Sequence, residues 1–201
     1  MHIQLLNFYK KLFKGDLGQS LTFRPKVPVV DIIKPKVSYS LYFGLAAIGV
    51  SLLLGVTLGI GMARNKSGFW DHFGTGYIVF IRAVPAAVYY LFLQLYLTKL
   101  FKLPMLFNIN KPKSWILPII SMSLGGIASY AMWMRRYMVD ELNKDYVKLA
   151  RAKGLKSREI MKTHVFRNAF VPMAQYLPSA ILFTISGSIY IESLYSIPGM
   201  G

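Results

Sequence analysis

Residues able to make or break bonds are few in this chain and badly placed for it. His2, His72 and His164 are scattered, and none has an acid or a second histidine at metal-ligand spacing. Cysteine is absent, which excludes thiolate metal sites and disulfides. The phosphate-cradling pattern Gly-x4-Gly-Lys-Ser/Thr does not occur. The eight acids lie mostly outside the apolar runs and form no converging acid–base pair. The expectation is therefore a protein that is not an enzyme, with no catalytic, cofactor or metal residues. What remains is "KLARAKGLKSREIMKTHVFRN", Lys148 to Asn168, a basic block holding one acid. Its chemistry is charge pairing and docking, and Ala150, Lys153, Gly154, Leu155, Lys156, Ser157 and Arg158 are the candidate contact residues.

The elements that must position this block are apolar. Of 201 residues 54% are hydrophobic and only 16% charged, where a soluble domain carries about 25% charged residues. The deficit points to lipid. Four apolar runs read as transmembrane helices: Val37 to Ala63, Tyr77 to Thr98, Trp115 to Met134, and Phe170 to about Ile191. The first has no charge and reaches roughly 40 Å as a helix, enough to cross a hydrocarbon core of about 30 Å with tilt. The fold class is all-α and polytopic, with residues 1–36 as a lead segment whose "RPKVPVVDIIKPK" cannot belong to one regular helix. The first residues lack an apolar core followed by a small-residue cleavage site, so no signal peptide is expected.

Net charge is +16, which suits nucleic acid, anionic lipid or an acidic partner alike. The joint 135–167 holds ten of the Lys and Arg, more than any other joint, and is placed in the cytoplasm. Alternation puts Asn65–Thr75 beside it and Lys99–Ser114 outside with both chain ends. The seven Lys and Arg of residues 1–36 oppose that orientation, unless a further upstream span delivers the segment outward.

Within the spans, Gly55 and Gly59 make a Gly-x-x-x-Gly face for close helix packing. Pro85 and Pro178 are expected to bend their helices. Arg82, Tyr90 and Gln94 have side chains suited to a polar path, against snorkelling or interfacial packing as their plainer roles. The block itself parses as two short helices. Leu142, Tyr146, Leu149 and Ala150 give one face over Val139–Ala152, Gly154 stands where a left-handed C-cap belongs, and Ser157 is expected to cap a second helix. Glu159 falls in its first turn, and Ile160, Met161 and Val165 carry it toward Phe170.

The stretch "YVKLARAKGLKSREIMKTHVFRNAFVP" resembles the cytoplasmic coupling loop of permease subunits of ATP-binding-cassette importers. That loop reads Glu-Ala-Ala, three residues, then Gly. Lys148, Leu149 and Ala150 stand at the first three positions and Gly154 at the last, so only the second alanine and the glycine match. "ARAKGL" and "HVFRNAFVP" are wording of the oligopeptide and dipeptide branch. "GDLGQSLTFRPKVPVVDII" resembles the extracytoplasmic segment before that branch's second span, and "ESLYSIPGMG" the one before its last.

The resemblance implies a six-span permease fold of which four spans are read here, and hence a fragment lacking the first and last. It implies a prokaryotic plasma membrane location and a peptide substrate, with nickel or another small solute as the alternative. Two cytoplasmic ATPases, a second related permease subunit and an extracytoplasmic binding protein are the implied partners. No cofactor and no nucleic acid are expected. A loop that bound anionic lipid or nucleic acid would lose affinity steeply with salt and tolerate change at Gly154; a docking loop would do the reverse.

Overall fold

Glycine and serine recur on one side of the first apolar run, and this side is where the bundle closes. In the computed structural model, which describes residues 8–201, helix α1 spans Val29–Arg64. It starts well before the apolar run, inside the expected lead segment, with Pro35 in its second turn. Pro35 and Asp31 both face outward, so the missing hydrogen bond falls on an exposed face near the helix end. Ahead of α1 the chain folds back in a loop closed by Gln19 against Pro28.

The partner of α1 is α4, Ile116–Leu142. A Cβ added at Gly55 would lie 2.8 Å from the Ile127 carbonyl oxygen, and one at Gly59 2.7 Å from that of Ala131. The two backbones therefore touch through the glycines, as the Gly-x-x-x-Gly spacing predicts. One turn earlier Ser51 donates to the Ser123 carbonyl at 3.0 Å. Helix α4 continues beyond Met134, where the expected loop begins. Arg135 and Arg136 are sound helix formers, and Met138 is buried one turn later.

The second apolar run is not one straight helix. Helix α2, Phe69–Ala83, and helix α3, Ala86–Phe101, meet at 109°. Pro85 forces Val84 into extended backbone (φ −91°, ψ 130°) and turns the chain sharply. Within α3 the stretch Leu93–Leu97 is π-helical. After α4 come the short α5, Asp145–Ala152, and the long α6, Ser157–Ile185. The fourth apolar run thus belongs to a helix that starts inside the basic block. Irregular turns at Gln175–Tyr176 precede Pro178, and α6 meets α7, Ile189–Tyr195, at 50°. The backbone turns there through Gly187 at φ +72°.

Among the described residues two helices are long and apolar enough to cross a membrane, and up to four spans result if each bent pair counts as one. Leu53, Leu54, Phe80, Leu182 and Phe183 face outward, as lipid contact requires. One end of the bundle gathers Phe43, Leu117, Ile191, Tyr195 and Ile197 around Phe107 and Trp115. The other gathers Ala63, Met138, Val147, Ile160 and Val165. Joints 65–75 and 135–167 therefore share one end, and Lys99–Ser114 shares the other with the last residues, in the alternation expected.

Gly59→Val should force α1 and α4 apart and cost about 1–3 kcal/mol. Gly125→Ala, where an added Cβ meets nothing within 4 Å, should cost nothing comparable. Thermal unfolding of both variants in detergent checks the contrast.

Candidate functional site

The basic end is organised by a helix stop. Helix α5 ends at Ala152, and Gly154 adopts φ +77°. Its N–H donates to the Arg151 carbonyl at 2.9 Å, while the Leu155 N–H reaches back to the Ala150 carbonyl at 3.2 Å. This pair of bonds is the Schellman arrangement, and the accompanying apolar contact is present because Ala150 and Leu155 join the same cluster. Gly154 has open space around it. The glycine is needed for its backbone angle, not for room.

Three expectations require correction. Val139–Ala152 is not one helix: α4 ends at Leu142, and the chain breaks at Asn143–Lys144 before α5. The break resets the helical phase, so a face counted across it fails. Leu149 is 57% exposed, whereas Val147, which the count passed over, is fully buried. Ser157 does not cap α6: Lys156 takes the N-cap position in extended backbone, and Ser157 is the first helical residue. Glu159 does lie in the first turn, and Ile160 and Val165 are buried as the periodicity requires.

The loop is tied to its neighbours by a buried carboxylate. Glu141, at the end of α4, accepts from Lys144 Nζ at 2.5 Å and from the Tyr146 hydroxyl on α5. Asn168 on α6 donates to the Tyr146 oxygen at 3.0 Å. Burial, and then the bond to Glu141, push the Tyr146 hydroxyl above its ordinary range, so it remains a donor. A second tie joins the neighbouring joint. Arg135 reaches Asp71 with Nε at 2.5 Å and Nη2 at 2.8 Å, and the Ser67 N–H donates to the same carboxylate at 2.9 Å. Spacing does not signal the second tie, because Asp71 and Arg135 are far apart in the chain.

The seven candidate contact residues divide. Lys153, Gly154, Lys156, Ser157 and Arg158 are exposed along the bend, and Leu155 is half-buried. None of the three cations has an ion-pair partner among the described residues. Ala150 is only 6% exposed and packs within the chain, so its small size serves the fit of α5 against its own neighbours. The three pathway candidates are not brought together. Arg82 is exposed on α2. Tyr90 lines a cavity of about 480 Å³ between α1, α4 and α6, facing Ser129, Tyr130 and Trp133. Gln94 is buried, its amide donating to the Leu194 carbonyl at 2.8 Å and the Met105 carbonyl at 3.2 Å.

Glu192, to which no sequence pattern assigns a role, is 1% exposed. It accepts from Ser40 Oγ at 2.8 Å, the Ser188 N–H at 3.2 Å and the Gly201 N–H at 2.5 Å. The segment "ESLYSIPGMG" folds around its own glutamate. The available signal was the glutamate followed by two glycines, since a side chain at Gly199 would collide with the carboxylate.

The sequence profile described as "Binding-protein-dependent transport system inner membrane component" matches residues 55–201. The oligopeptide transport system permease protein AmiC of Streptococcus pneumoniae is 37% identical over 79% of this chain and 32% of its own length. The dipeptide transport system permease protein DppB of Lactococcus lactis is 31% identical over 94% of this chain and 62% of its own. The oligopeptide transport system permease protein OppB of Escherichia coli is 32% identical over 98% and 65%. The chain thus spans about one third to two thirds of the length of these relatives. A solved structure titled as an amino acid ABC transporter with histidines superposes with a TM-score of 0.66, at 16% identity, over 86% of this chain and 75% of that one. That likeness establishes a shared fold.

Asp71→Asn removes the charge that a two-pronged guanidinium holds, and should lower stability by about 1.5–3 kcal/mol. Asp145→Asn, breaking the exposed pair with Lys148, should cost roughly 0–1 kcal/mol. Unfolding temperatures of the two variants in detergent compare them directly.

Proposed function

The chain belongs to the binding-protein-dependent transport system inner membrane components, and from that premise we propose that it is permease machinery of an ATP-driven peptide importer. Its spans form part of the translocation path, and the bend at Gly154 docks on a cytoplasmic ATPase. The observation carrying this reading is mechanical. Helix α6 starts at Ser157, beside the bend, is buried in the bundle at Val165, Ala169 and Met173, and continues past the turns at Gln175–Tyr176 to Ile185 on the outer surface. A push on the loop therefore moves a span as one lever.

The ties described above make the lever stiff. Glu141, Tyr146 and Asn168 hold α4, α5 and α6 in one angular relation, and the Schellman bonds hold the turn. A partner groove would meet Lys153, Gly154 and Lys156. Each exposed ion pair to a groove rim contributes only about 0–1 kcal/mol, so shape at the bend outweighs charge. When two ATPases close on ATP and draw such loops together, α6 and its apolar neighbours tilt, and access alternates between the two membrane faces. ATP hydrolysis resides in the partner ATPases in this reading. Peptide as cargo follows the naming of the relatives, whose sequence likeness covers nearly the whole chain. A second related permease subunit would complete the path, and a binding protein outside would deliver the peptide.

The absence of cysteine makes a clean test available. With Lys156→Cys in the co-expressed transporter and one cysteine in the ATPase groove, an ATP-sensitive crosslink is expected. An assembled complex that gives no crosslink in any nucleotide state sinks the docking assignment. Gly154→Arg should abolish ATPase copurification while leaving membrane insertion intact, and Gly154→Asn, compatible with the left-handed backbone, should retain most of it.

A further inference from the structure

Helices α1, α4, α5 and α6 enclose a second cavity, of about 770 Å³, at the basic end. Its walls are apolar where the spans supply them, through Ile60, Met138, Met161 and Phe166. Its charged lining has one sign only. Arg64 comes from the last turn of α1, Arg151 from α5, and Arg158 and Lys162 from the start of α6. No carboxylate lines the cavity, and none of these four cations has an ion-pair partner among the described residues. Glu159, adjacent to Arg158, is exposed and lies outside the lining, while Glu141 holds Lys144 and Asp145 holds Lys148.

Four cations around an apolar hollow repel one another and attract an anion. The occupant must therefore carry negative charge at one end and hydrocarbon at the other. A free phosphate would satisfy the cations and leave the apolar walls against water. Position narrows the choice further. Ile60 and Met138 belong to helices able to cross a membrane, and Arg64 ends one of them, so the cavity straddles the level at which lipid headgroups lie. Its volume is that of a small-molecule site. Basic pockets between membrane helices on the cytoplasmic side are suited to anionic headgroups.

We propose that this cavity binds an anionic phospholipid of the cytoplasmic leaflet, with the phosphate among Arg64, Arg151, Arg158 and Lys162 and the upper acyl chain along the apolar wall. The assignment rests on the membrane orientation given above, but on neither the cargo nor the docking partner. Arg151 precedes Gly154 and Arg158 follows it, so one lipid would clamp both arms of the bend. The stiffness of the lever then depends on the anionic lipid content of the membrane.

The test uses the full chain extracted in mild detergent, titrated with phosphatidylglycerol or phosphatidylcholine and read by native mass spectrometry. Phosphatidylglycerol should be retained over phosphatidylcholine. Arg64→Gln with Lys162→Gln should weaken that retention roughly twenty-fivefold, about fivefold for each cation removed. Lys111→Gln with Lys113→Gln, at the opposite end, should leave it unchanged. Arg64→Lys with Lys162→Arg keeps the charge and should keep the lipid, which separates loss of binding from loss of fold. Equal retention of the two lipids, an unaltered affinity in the double glutamine variant, or displacement by millimolar inorganic phosphate would overturn the proposal. A failed crosslink at residue 156 with intact lipid preference would sink only the docking assignment.

Discussion

The backbone contact between α1 and α4 is the constraint on which the other positions depend. In lipid, apolar side chains gain nothing by leaving hydrocarbon for one another, so two helices associate by close fit. Gly55 and Gly59 remove the side chains that would hold α1 off α4. The Ser51 to Ser123 bond adds to this, but such bonds average only about 0.6 kcal/mol in membranes. Fit therefore outweighs polarity along the seam. Once the seam is set, Ala63 and Met138 meet at one end, Phe43 and Leu117 at the other, and the remaining elements pack on these two clusters.

Breaks in the helices follow from a second constraint. Backbone polar groups within a bilayer must be satisfied inside the protein. At the α2–α3 corner the Val84 N–H still reaches the Phe80 carbonyl, and Pro85 has no N–H to lose. At the α6–α7 corner the Ser188 N–H is received by the buried carboxylate of Glu192. Each corner is therefore paid for locally, and the molecule can carry helices that turn within the membrane. Glu192 goes further by gathering Ser40 and the Gly201 N–H, which ties the last residues to α1.

At the basic end, charge and rigidity are separate properties. The exposed cations of the bend make no ion pair among the described residues, while its geometry is fixed by the Schellman turn and by the buried carboxylates of Glu141 and Asp71. Asp71 with Arg135 secures the joint after α1, and Glu141 with Tyr146 secures α5. A loop that only obeyed a charge rule would need neither tie.

Composition and periodicity were enough to establish an all-helical membrane protein, the glycine seam, the left-handed stop at Gly154, and which joints share an end. Each of these is local, depending on residues within a turn or two or on the count of charges between apolar runs. The quoted motifs were likewise enough to indicate the family, since short stretches kept their order along the chain. Other features depended on contacts between distant segments. Whether Arg135 begins a loop or continues α4 is decided by the burial of Met138 beyond it, and Asp71 across the bundle receives its guanidinium. Whether Leu149 or Val147 faces inward is decided by a phase break at Asn143, which periodicity averages away. The sharp corner at Pro85, the inward turn of Gln94 and the cage around Glu192 arise in the same way. A local pattern states what a residue prefers, and only packing decides which neighbour is there to receive it.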